Sequence, residues 1–363
     1  MKIIAFYLPQ FHEVDINNDN YGKGFTEWDT TENAKPLFRG HVQPRIPRNR
    51  YCLTDKDAIM WQAKLAKEYG IYGWAIYHYW YKGKLVLEKP VENLLNNKDI
   101  DIHFCLDWAN HNWTKSLQEK SREIILEQTY GDEADWKAHF DFFLPYFKDD
   151  RYIFIDNKPV LIVYRPYNIP RFNEMISFWN ECAKEAGLQG ITVIQQQSNF
   201  LKNNIKGIDY RLEYQPTFIR NNDVFLFLLF KMRSVISKVI RWTGLFKGHL
   251  AEIWYMNYEC IWDKILKFKT DDLTISGAFV NWDNSPRKKK DGFILTGYSA
   301  VKFKDYLSKK IKITREKYVK SEYMFLFAWN EWGEGGFLEP DLIEDKSRLE
   351  AVREALIEND EWE

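Results

Sequence analysis

The segment YMFLFAWNEWGEGG, residues 323–336, joins an apolar run to a turn that carries two carboxyl groups. Met324–Ala328 is apolar over a length typical of a buried strand. Glu331 and Glu334 follow it, and Gly333 and Gly335 allow the backbone to turn sharply beside them. A short apolar strand that ends in a polar turn is the repeating unit of parallel β/α folds, and the rest of the chain repeats it.

Seven further apolar runs precede this one, and segments with helical periodicity separate many of them. The predicted strands are Ile3–Tyr7, Tyr72–Tyr77, Ile102–Asp107, Val160–Tyr164, Thr192–Gln196, Tyr210–Tyr214, Ile275–Asn281 and Met324–Ala328. The predicted helices are Lys56–Tyr69, Glu133–Phe147, Arg171–Ala186, Ala300–Ile313 and Lys346–Leu356. No Gly-rich phosphate-binding turn follows the first strand, which favours a barrel over a doubly wound sheet. We therefore predict a single α/β domain over residues 1–363, a (β/α)8 TIM barrel with insertions.

Composition excludes several classes of protein. The 363 residues are 45% apolar and carry 51 basic against 52 acidic residues, so nothing indicates a nucleic-acid partner. The four cysteines are scattered without metal or redox spacing, and we predict no metal and no cofactor. The first residues read as a strand rather than a signal peptide. No run reaches the roughly 18 apolar residues that a membrane span requires, so we expect a cytoplasmic enzyme.

Aromatic residues make up 17% of the chain, including 15 Trp and 21 Tyr. Flat aromatic faces stack on the C–H faces of sugar rings, while the indole N–H and phenol O–H groups bond to polar partners. The composition therefore favours a carbohydrate-binding cleft. The alternative is simply a core rich in aromatic side chains.

Polar and aromatic side chains follow nearly every predicted strand. In a barrel the carboxyl ends of the strands converge on the active site. Two of the candidates, Glu27 and Trp28, lie in the loop after the first strand, where a lid or subsite wall is expected. The predicted substrate-binding residues are Tyr7, His12, Glu27, Trp28, His78, Trp80, Asp107, Trp108, Asn110, Tyr164, Gln196, Trp282 and Asn330.

Glu331 and Glu334 are the predicted catalytic residues. Cleaving or forming a glycosidic bond requires one carboxylic acid that gives a proton to the departing oxygen and a second carboxylate that acts as base or nucleophile. Neighbouring aromatic side chains would exclude water and raise the pKa of one of the two glutamates. Glutamates three residues apart are also common on solvated surfaces, but the position directly after an apolar strand favours the catalytic interpretation.

Longer motifs make the chain resemble a known family. YLPQFH (7–12), GKGFTEW (22–28), AKPLFRGHVQP (34–44), IYHYWYKGK (76–84), LDWANHNW (106–113), KPVLIVYRP (158–166), NWDNSPR (281–287) and WNEWGEGGFLEPD (329–341) resemble the WbsX-like family. That family is labelled as glycosyltransferases of O-antigen and capsule polysaccharide clusters. The resemblance covers nearly the whole chain.

A more distant resemblance, at Asn330-Glu331-Trp332-Gly333-Glu334, is to the endo-α-mannosidases of glycoside hydrolase family 99. It implies a barrel and a retaining mechanism with 2-OH participation. Glu331 would deprotonate the sugar 2-OH, which attacks its own anomeric carbon, and Glu334 would act first as acid and then as base. This chain has Gly333 where family 99 places a His, in the leaving-group subsite.

The two resemblances imply different reactions. A nucleotide-sugar transferase would need a phosphate cradle or an Asp-x-Asp metal site, and Asp99-Ile100-Asp101 precedes a strand, where a solvated turn is expected. The leading hypothesis is therefore a retaining glycoside hydrolase or transglycosylase acting on a bacterial surface polysaccharide or its lipid-linked precursor. The alternatives are a glycosyltransferase of lipopolysaccharide or capsule biosynthesis and a non-catalytic glycan-binding scaffold. All three predict an oligosaccharide or polysaccharide partner.

Residues 218–255 differ from the βα pattern and form a predicted insertion between the sixth and seventh strands. Residues 224–250 are strongly apolar, contain no acidic residue, and carry the basic residues Lys231, Arg233, Lys238, Arg241 and Lys247. Such a segment fits a helix at a membrane interface, or a helix that covers the barrel with its basic side chains reaching solvent. We expect one or two helices that leave the barrel and dock peripherally on the inner membrane without spanning it.

Overall fold

Eight parallel strands close into a barrel. The computed structural model describes residues 1–115, 123–198, 205–243 and 253–362. The barrel strands are β1 (Lys2–Tyr7), β2 (Ile71–Tyr81), β3 (His103–Trp108), β4 (Lys158–Val163), β5 (Thr192–Gln197), β6 (Tyr210–Glu213), β7 (Thr274–Phe279) and β8 (Tyr323–Phe327). Each strand pairs in parallel with the next along the chain, and β8 pairs with β1, which confirms the predicted barrel.

Helices surround the barrel. They are α1 (Asp15–Tyr21), α2 (Glu27–Glu32), α3 (Lys56–Glu68), α4 (Lys89–Asn96), α5 (Glu133–Phe147), α6 (Phe172–Glu185), α7 (Thr217–Asn222), α8 (Val224–Thr243), α9 (Tyr258–Lys267), α10 (Ser285–Lys288), α11 (Ala300–Lys317) and α12 (Ser347–Ile357). Short strands also pair in the loops. Lys84–Val86 pairs antiparallel with the end of β2, and Phe154–Ile155 pairs antiparallel with β4. The remaining short pairs are Trp113–Thr114 with Ile124–Leu126, Trp254–Asn257 with Phe293–Thr296, and Asn330–Glu331 with Gly336–Phe337.

Local capping chemistry sets the helix limits. The Asp132 carboxylate accepts from the backbone N–H groups of Ala134 and Asp135 and starts α5 at the predicted residue. Gly70 and Gly187 follow α3 and α6 with φ of 80° and 87°, a conformation that favours glycine after a helix. All five helices expected from the sequence are present, with limits shifted by at most four residues.

Side chains on each barrel strand alternate between the barrel interior and the helix layer. On β1, Phe6 points inward and packs on Tyr77, Tyr214 and Phe325. Tyr7 points outward, where its ring packs on the indole of a Trp of β2. The barrel is thus filled by aromatic side chains, and both faces of its strands are buried.

The insertion between β6 and β7 contains α7, α8, the strand Trp254–Asn257 and α9. Its inner side is anchored to the barrel loops, because Phe230 of α8 packs on Trp254 and Phe293. Residues 244–250 of the predicted basic segment, with Lys247, lie outside the described residues. In the part of the chain that the structure describes, no helix is long and apolar enough to cross a membrane.

Candidate active site

A cavity of about 450 Å³ opens at the carboxyl ends of the barrel strands, where active sites of this fold lie. Acidic, basic and phenolic groups converge on it. The lining residues are Leu8, Gln10, Asn17, Tyr21, Glu27, Tyr77, Tyr79, Ala109, His111, Asn112, Trp113, Thr114, Tyr164, Arg165, Gln196, Ser198, Tyr214, Thr217, Arg220, Trp282, Asn284, Arg287, Lys288, Glu331 and Glu334.

The turn after β8 brings Glu331 and Glu334 into this cavity. Asn330, just before it, ties the turn to the end of β1: its Oδ1 accepts from the Leu8 N–H at 2.7 Å and its Nδ2 donates to the Leu8 carbonyl at 3.0 Å. Residues Trp332–Glu334 then form one 3₁₀ turn. Glu331 is almost fully buried, whereas Glu334 is partly open to the cavity.

Arg287 binds both of these glutamates and Glu27. Its Nε donates to Glu27 Oε1 at 2.7 Å, and its two terminal nitrogens lie 3.1 Å from Glu331 Oε2 and 3.1 Å from Glu334 Oε1. A planar guanidinium presents its donors in a fixed fork, so the three carboxylates are held around one group. The nearest carboxylate oxygens of Glu331 and Glu334 are therefore separated by no more than two 3.1 Å contacts and the width of one guanidinium.

The loop that carries Arg287 is fixed by Asp283 to the turn after β8. The Asp283 backbone N–H donates to the Glu334 carbonyl at 2.7 Å. Its carboxylate contacts His41 Nε2 at 2.8 Å and accepts a hydrogen bond from Gln43 Nε2 at 2.7 Å. These hydrogen bonds lower the pKa of Asp283, although burial opposes them. The loop, the turn and the segment of residues 41–43 therefore form one bonded unit.

Gly333 is required by close approach rather than by its own backbone conformation. A Cβ atom at this position would lie 2.1 Å from Glu27 Oε1 and 2.6 Å from Arg287 Nε. Both neighbours are held by their mutual ion pair and cannot move aside cheaply. The Glu27–Arg287 pair thus occupies the space into which any larger side chain at residue 333 would project.

Burial controls the protonation of the acidic groups. Burial raises the pKa of Glu331 to about 8, and it raises that of Glu27 as well, while the Arg287 charge opposes both shifts. A third carboxyl, that of Asp107, is fully buried, and burial raises its pKa. With the Gln196 amide nitrogen oriented toward it, an assignment made from the hydrogen bonding, Gln196 donates to both Asp107 oxygens at 2.6 and 3.2 Å.

A second buried network supports the turn after β8 on the side away from the cavity. The Glu339 carboxylate accepts from the Trp332 indole at 2.6 Å, from the Tyr51 hydroxyl at 2.7 Å and from the Gln62 amide at 2.6 Å. Burial raises the pKa of Glu339 to about 7, and its three donors oppose that shift. Trp332 is therefore fixed in the turn, and with it the backbone between Glu331 and Glu334.

Comparison with known proteins agrees with this architecture. The family model for the glycosyltransferase WbsX matches residues 3–352. The chain belongs to the WbsX glycosyltransferase family. This confirms the resemblance seen in the sequence motifs, and it places the chain in a family of carbohydrate-active enzymes.

Relatives of this WbsX-family chain include the uncharacterized protein WxcX of Xanthomonas campestris pv. campestris, which is 30% identical over 361 residues. The match covers 98% of this chain and 49% of WxcX, so the chain spans about half the length of the curated relatives that it matches.

Two solved structures share the fold. The GH99 endo-alpha-mannosidase from Bacteroides thetaiotaomicron has a TM-score of 0.54 and 12% identity, with 99% of this chain and 96% of that one covered. A glycoside hydrolase-like protein has a TM-score of 0.59 and 11% identity, with 98% and 93% covered. At these identities the likeness is one of fold.

Six of the residues predicted for the site line the cavity of this WbsX-family chain. They are Glu27, Tyr164, Gln196, Trp282, Glu331 and Glu334. Asp107 lies behind the wall, bonded to Gln196. Asn110 does not line the cavity but supports it, because its side chain accepts from the Arg165 N–H at 2.6 Å and donates to the Arg165 carbonyl at 2.9 Å.

The other seven predicted residues are outside the cavity wall, and the sequence expectation for them needs correction. His78, Trp80 and Trp108 point outward to α5 and α6: the His78 ring bonds to His139 at 2.9 Å, Trp80 stacks on His139, and Trp108 packs edge-on against it. A strand residue one position away from an inward-facing one faces the helix layer.

Tyr7, Trp28 and Asn330 lie behind the turn after β8. The Tyr7 hydroxyl donates to Gln62, which in turn bonds to Glu339, and Trp28 packs edge-on against Trp332. His12 is buried, and burial lowers its pKa to about 4, so its ring is neutral near pH 7. None of these four side chains forms part of the cavity surface.

Several cavity residues were missed by reasoning from the sequence. Tyr77 and Tyr79 of β2 face the cavity, one position before the predicted His78 and Trp80. Arg287 is the last residue of the NWDNSPR motif, in which only Trp282 was predicted to bind substrate. A cation near a glutamate pair is the signal that could have pointed to it, because buried carboxylates require a compensating charge. Among the described residues, no group of three or more His, Cys, Asp and Glu is arranged to hold a metal ion.

Proposed function

We propose that this WbsX-family protein is a retaining glycoside hydrolase or transglycosylase that acts on a bacterial surface polysaccharide. The observation that carries the proposal is the pair of carboxylates, Glu331 and Glu334, held by Arg287 at the mouth of a barrel. Phenol and indole groups of the cavity wall provide stacking surfaces and hydrogen-bond partners for sugar rings.

In the proposed reaction one glutamic acid gives its proton to the glycosidic oxygen as the bond from that oxygen to the anomeric carbon breaks. The other glutamate removes the proton of the 2-OH, and the sugar's own O2 forms the new bond to the anomeric carbon. Water or an acceptor hydroxyl then attacks that carbon, loses its proton to the first glutamate and opens the ring formed with O2, which takes a proton back from the second. Two inversions give net retention.

Arg287 is the proposed positioning residue for this pair. It contacts both glutamates, and its positive charge permits two acidic groups to share a buried site. Glu27 takes the third position on the guanidinium, which fixes the orientation of the group through a bond at Nε. The Arg287–Glu27 pair therefore sets the direction in which the two terminal nitrogens of Arg287 point toward Glu331 and Glu334.

Two arguments assign opposite roles to Glu331 and Glu334. The family 99 resemblance assigns the 2-OH to Glu331 and the acid/base role to Glu334. The raised pKa of Glu331 favours its neutral form, which is the form that a proton donor needs. Leaving-group dependence separates the two assignments: activity lost in the acid variant returns with a substrate whose leaving group needs no proton, such as a glycosyl fluoride.

For this test Glu331→Gln and Glu334→Gln are assayed on the same glycan and on an activated donor of the same sugar. Recovery of Glu334→Gln alone supports the family-based roles, and recovery of Glu331→Gln alone reverses them. Recovery of both, or of neither, contradicts a division of labour between one proton donor and one base.

A glycosyltransferase is the second candidate, favoured by the name of the family that the chain matches. The two reactions use different donors. Incubation with the polysaccharide of its own gene neighbourhood, in parallel with a panel of nucleotide sugars, separates them by mass spectrometry of the products. Shortened or rearranged glycans without nucleotide sugar support the hydrolase or transglycosylase. Products that form only with a nucleotide-sugar donor support the transferase.

A further inference from the structure

Helix α8 presents an apolar face to solvent. Leu228 is 54% exposed, Met232 61% and Val235 60%, whereas Leu226 on the other side is fully buried. The exposed apolar residues of the helix are Val224, Phe225, Leu228, Leu229, Met232, Val235, Ile236 and Val239. Their spacing of three and four residues places most of them on one continuous stripe. A surface helix normally turns its apolar stripe toward the core. Helix α8 buries Leu226 and packs Phe230 on its inner side, and it carries this second apolar stripe on its outer side.

Cations flank this stripe. Lys231 is exposed on α8 itself, and Lys264 of α9 lies 5.1 Å from the ring centre of Phe225. Lys267, the last residue of α9, and Lys269, just after the helix, line the same groove as Lys264, which also contains Asp223 and Asp263. Asp223 is paired with Lys264 at 3.2 Å, and the Tyr306 hydroxyl donates to Asp263. The sequence from 224 to 250 adds no acidic residue.

We propose that the exposed face of α8 docks the protein on an anionic lipid bilayer. An apolar stripe beside a row of lysines matches the acyl boundary and the negative headgroups of such a surface. A second copy of this chain is a poorer occupant, because a twofold contact would bring the same lysines against each other. The helix would lie in the interface plane, in keeping with its flanking charges.

Docking at α8 also orients the catalytic cavity. Helix α7, directly before it, contributes Thr217 and Arg220 to the cavity wall. The Arg220 guanidinium lies 5.3 Å from the ring centre of Phe230, on the inner side of α8. Helix α8 is therefore a neighbour of the wall of the cavity mouth, which suits a glycan carried on a lipid. This last consequence rests on the proposed function, whereas the docking itself does not.

Flotation with phospholipid vesicles tests the proposal. One variant carries Leu228→Glu, Met232→Glu and Val235→Glu. The matched control carries Val301→Glu, Leu342→Glu and Ile357→Glu. These three side chains are 69%, 60% and 51% exposed in the wild type and belong to other elements than α8. Each protein is floated with phosphatidylglycerol–phosphatidylcholine vesicles and with phosphatidylcholine alone, at low and high salt. Circular dichroism and thermal unfolding establish that all three proteins fold.

The wild type and the control are expected to float with the anionic vesicles, less so at high salt, while the α8 variant stays at the bottom. Lys231→Ala is expected to lower the partition coefficient by about fivefold. Flotation of the α8 variant like the wild type, or no flotation of the wild type, overturns the proposal. So does a dimer of the free wild type that the α8 variant loses, since the face would then join two copies. Glu331→Gln should float like the wild type even if the proposed chemistry is wrong.

Discussion

Arg287 is the residue on which the three glutamates of the cavity depend. Replacing it with lysine keeps the charge but removes the planar fork, and one ammonium cannot bind three carboxylates in the same plane. We expect Arg287→Lys to lower kcat/KM at least about 100-fold, roughly 2.7 kcal/mol of transition-state stabilisation. Steady-state kinetics check it, with Arg171→Lys, in an exposed ion pair on the outer surface, as the matched control. Near-normal kinetics of Arg287→Lys would show that the fork is unimportant.

Gly333 allows a second prediction. A methyl group there would collide with Glu27 and Arg287, so Gly333→Ala should lower the free energy of unfolding by about 1–3 kcal/mol. Adding Glu27→Ala removes one of the two colliding groups. The combined loss should then be smaller than the sum of the two single losses, as measured by urea unfolding. Strict additivity would mean that the two residues do not contact each other.

The raised pKa of Glu331 has a consequence for stability. Its folded pKa of about 8 is above the ordinary value of 4.5. Between these values the folded protein holds a proton that the unfolded chain has released, so stability falls as pH rises through this window, by up to roughly 1.4 kcal/mol per pH unit. The side chain of Glu331→Gln cannot ionise. The free energy of unfolding of this variant, measured in urea relative to the wild type, should therefore be more favourable near about pH 8 than near about pH 5. An advantage independent of pH would contradict the assignment.

At the scale of elements, β2 shows what a sequence can and cannot specify. Its apolar and aromatic run predicted a strand whose end lies at the mouth, and the structure confirms this. The run does not reveal which residues face inward. In a sheet with one face in solvent, polar residues mark the exposed side of each strand. Both faces of a barrel strand are buried, so the residues of the two faces have similar polarity. The sequence therefore predicted that His78 and Trp80 line the cavity, whereas the preceding residues Tyr77 and Tyr79 do so.

The same alternation gives a paired prediction. Tyr79 faces the cavity, and Tyr79→Phe removes only its hydroxyl, so KM should rise by several-fold, about 1 kcal/mol for one hydrogen bond, with little change in the unfolding midpoint. His78 bonds to His139 in the helix layer, and His78→Ala leaves that imidazole without its partner. It should cost about 1–3 kcal/mol of stability and leave KM unchanged. The opposite pattern would mean that the inward face of β2 is wrongly assigned.

For the whole molecule, the barrel could be predicted because each βα unit repeats the same local pattern. The aromatic composition was less specific. Seven tryptophans are among the largest fully buried side chains, and among the described residues only Trp113 and Trp282 line the cavity. Most of the tryptophan thus belongs to the core, and tyrosine provides most of the aromatic wall.

Glu331, Glu334 and Glu27 could be predicted for the site because strand ends and glycine-rich turns are local signals, and all three line the cavity. Arg287 was not, because its contacts join a loop after β7 to turns after β1 and β8, and no spacing along the chain encodes such a meeting. Local signals thus located the site, and long-range packing determined its electrostatics.

Glycosyl chemistry by the pair is tested most directly by mass spectrometry of the glycan of the protein's own gene neighbourhood after incubation in ¹⁸O-labelled water. The wild type and Glu181→Gln, an exposed glutamate of α6, should give shortened fragments that carry the label at a new reducing end, or rearranged glycans. Glu331→Gln and Glu334→Gln should give neither. Unchanged products from both variants, or no glycan product from the wild type without a nucleotide sugar, would contradict the account.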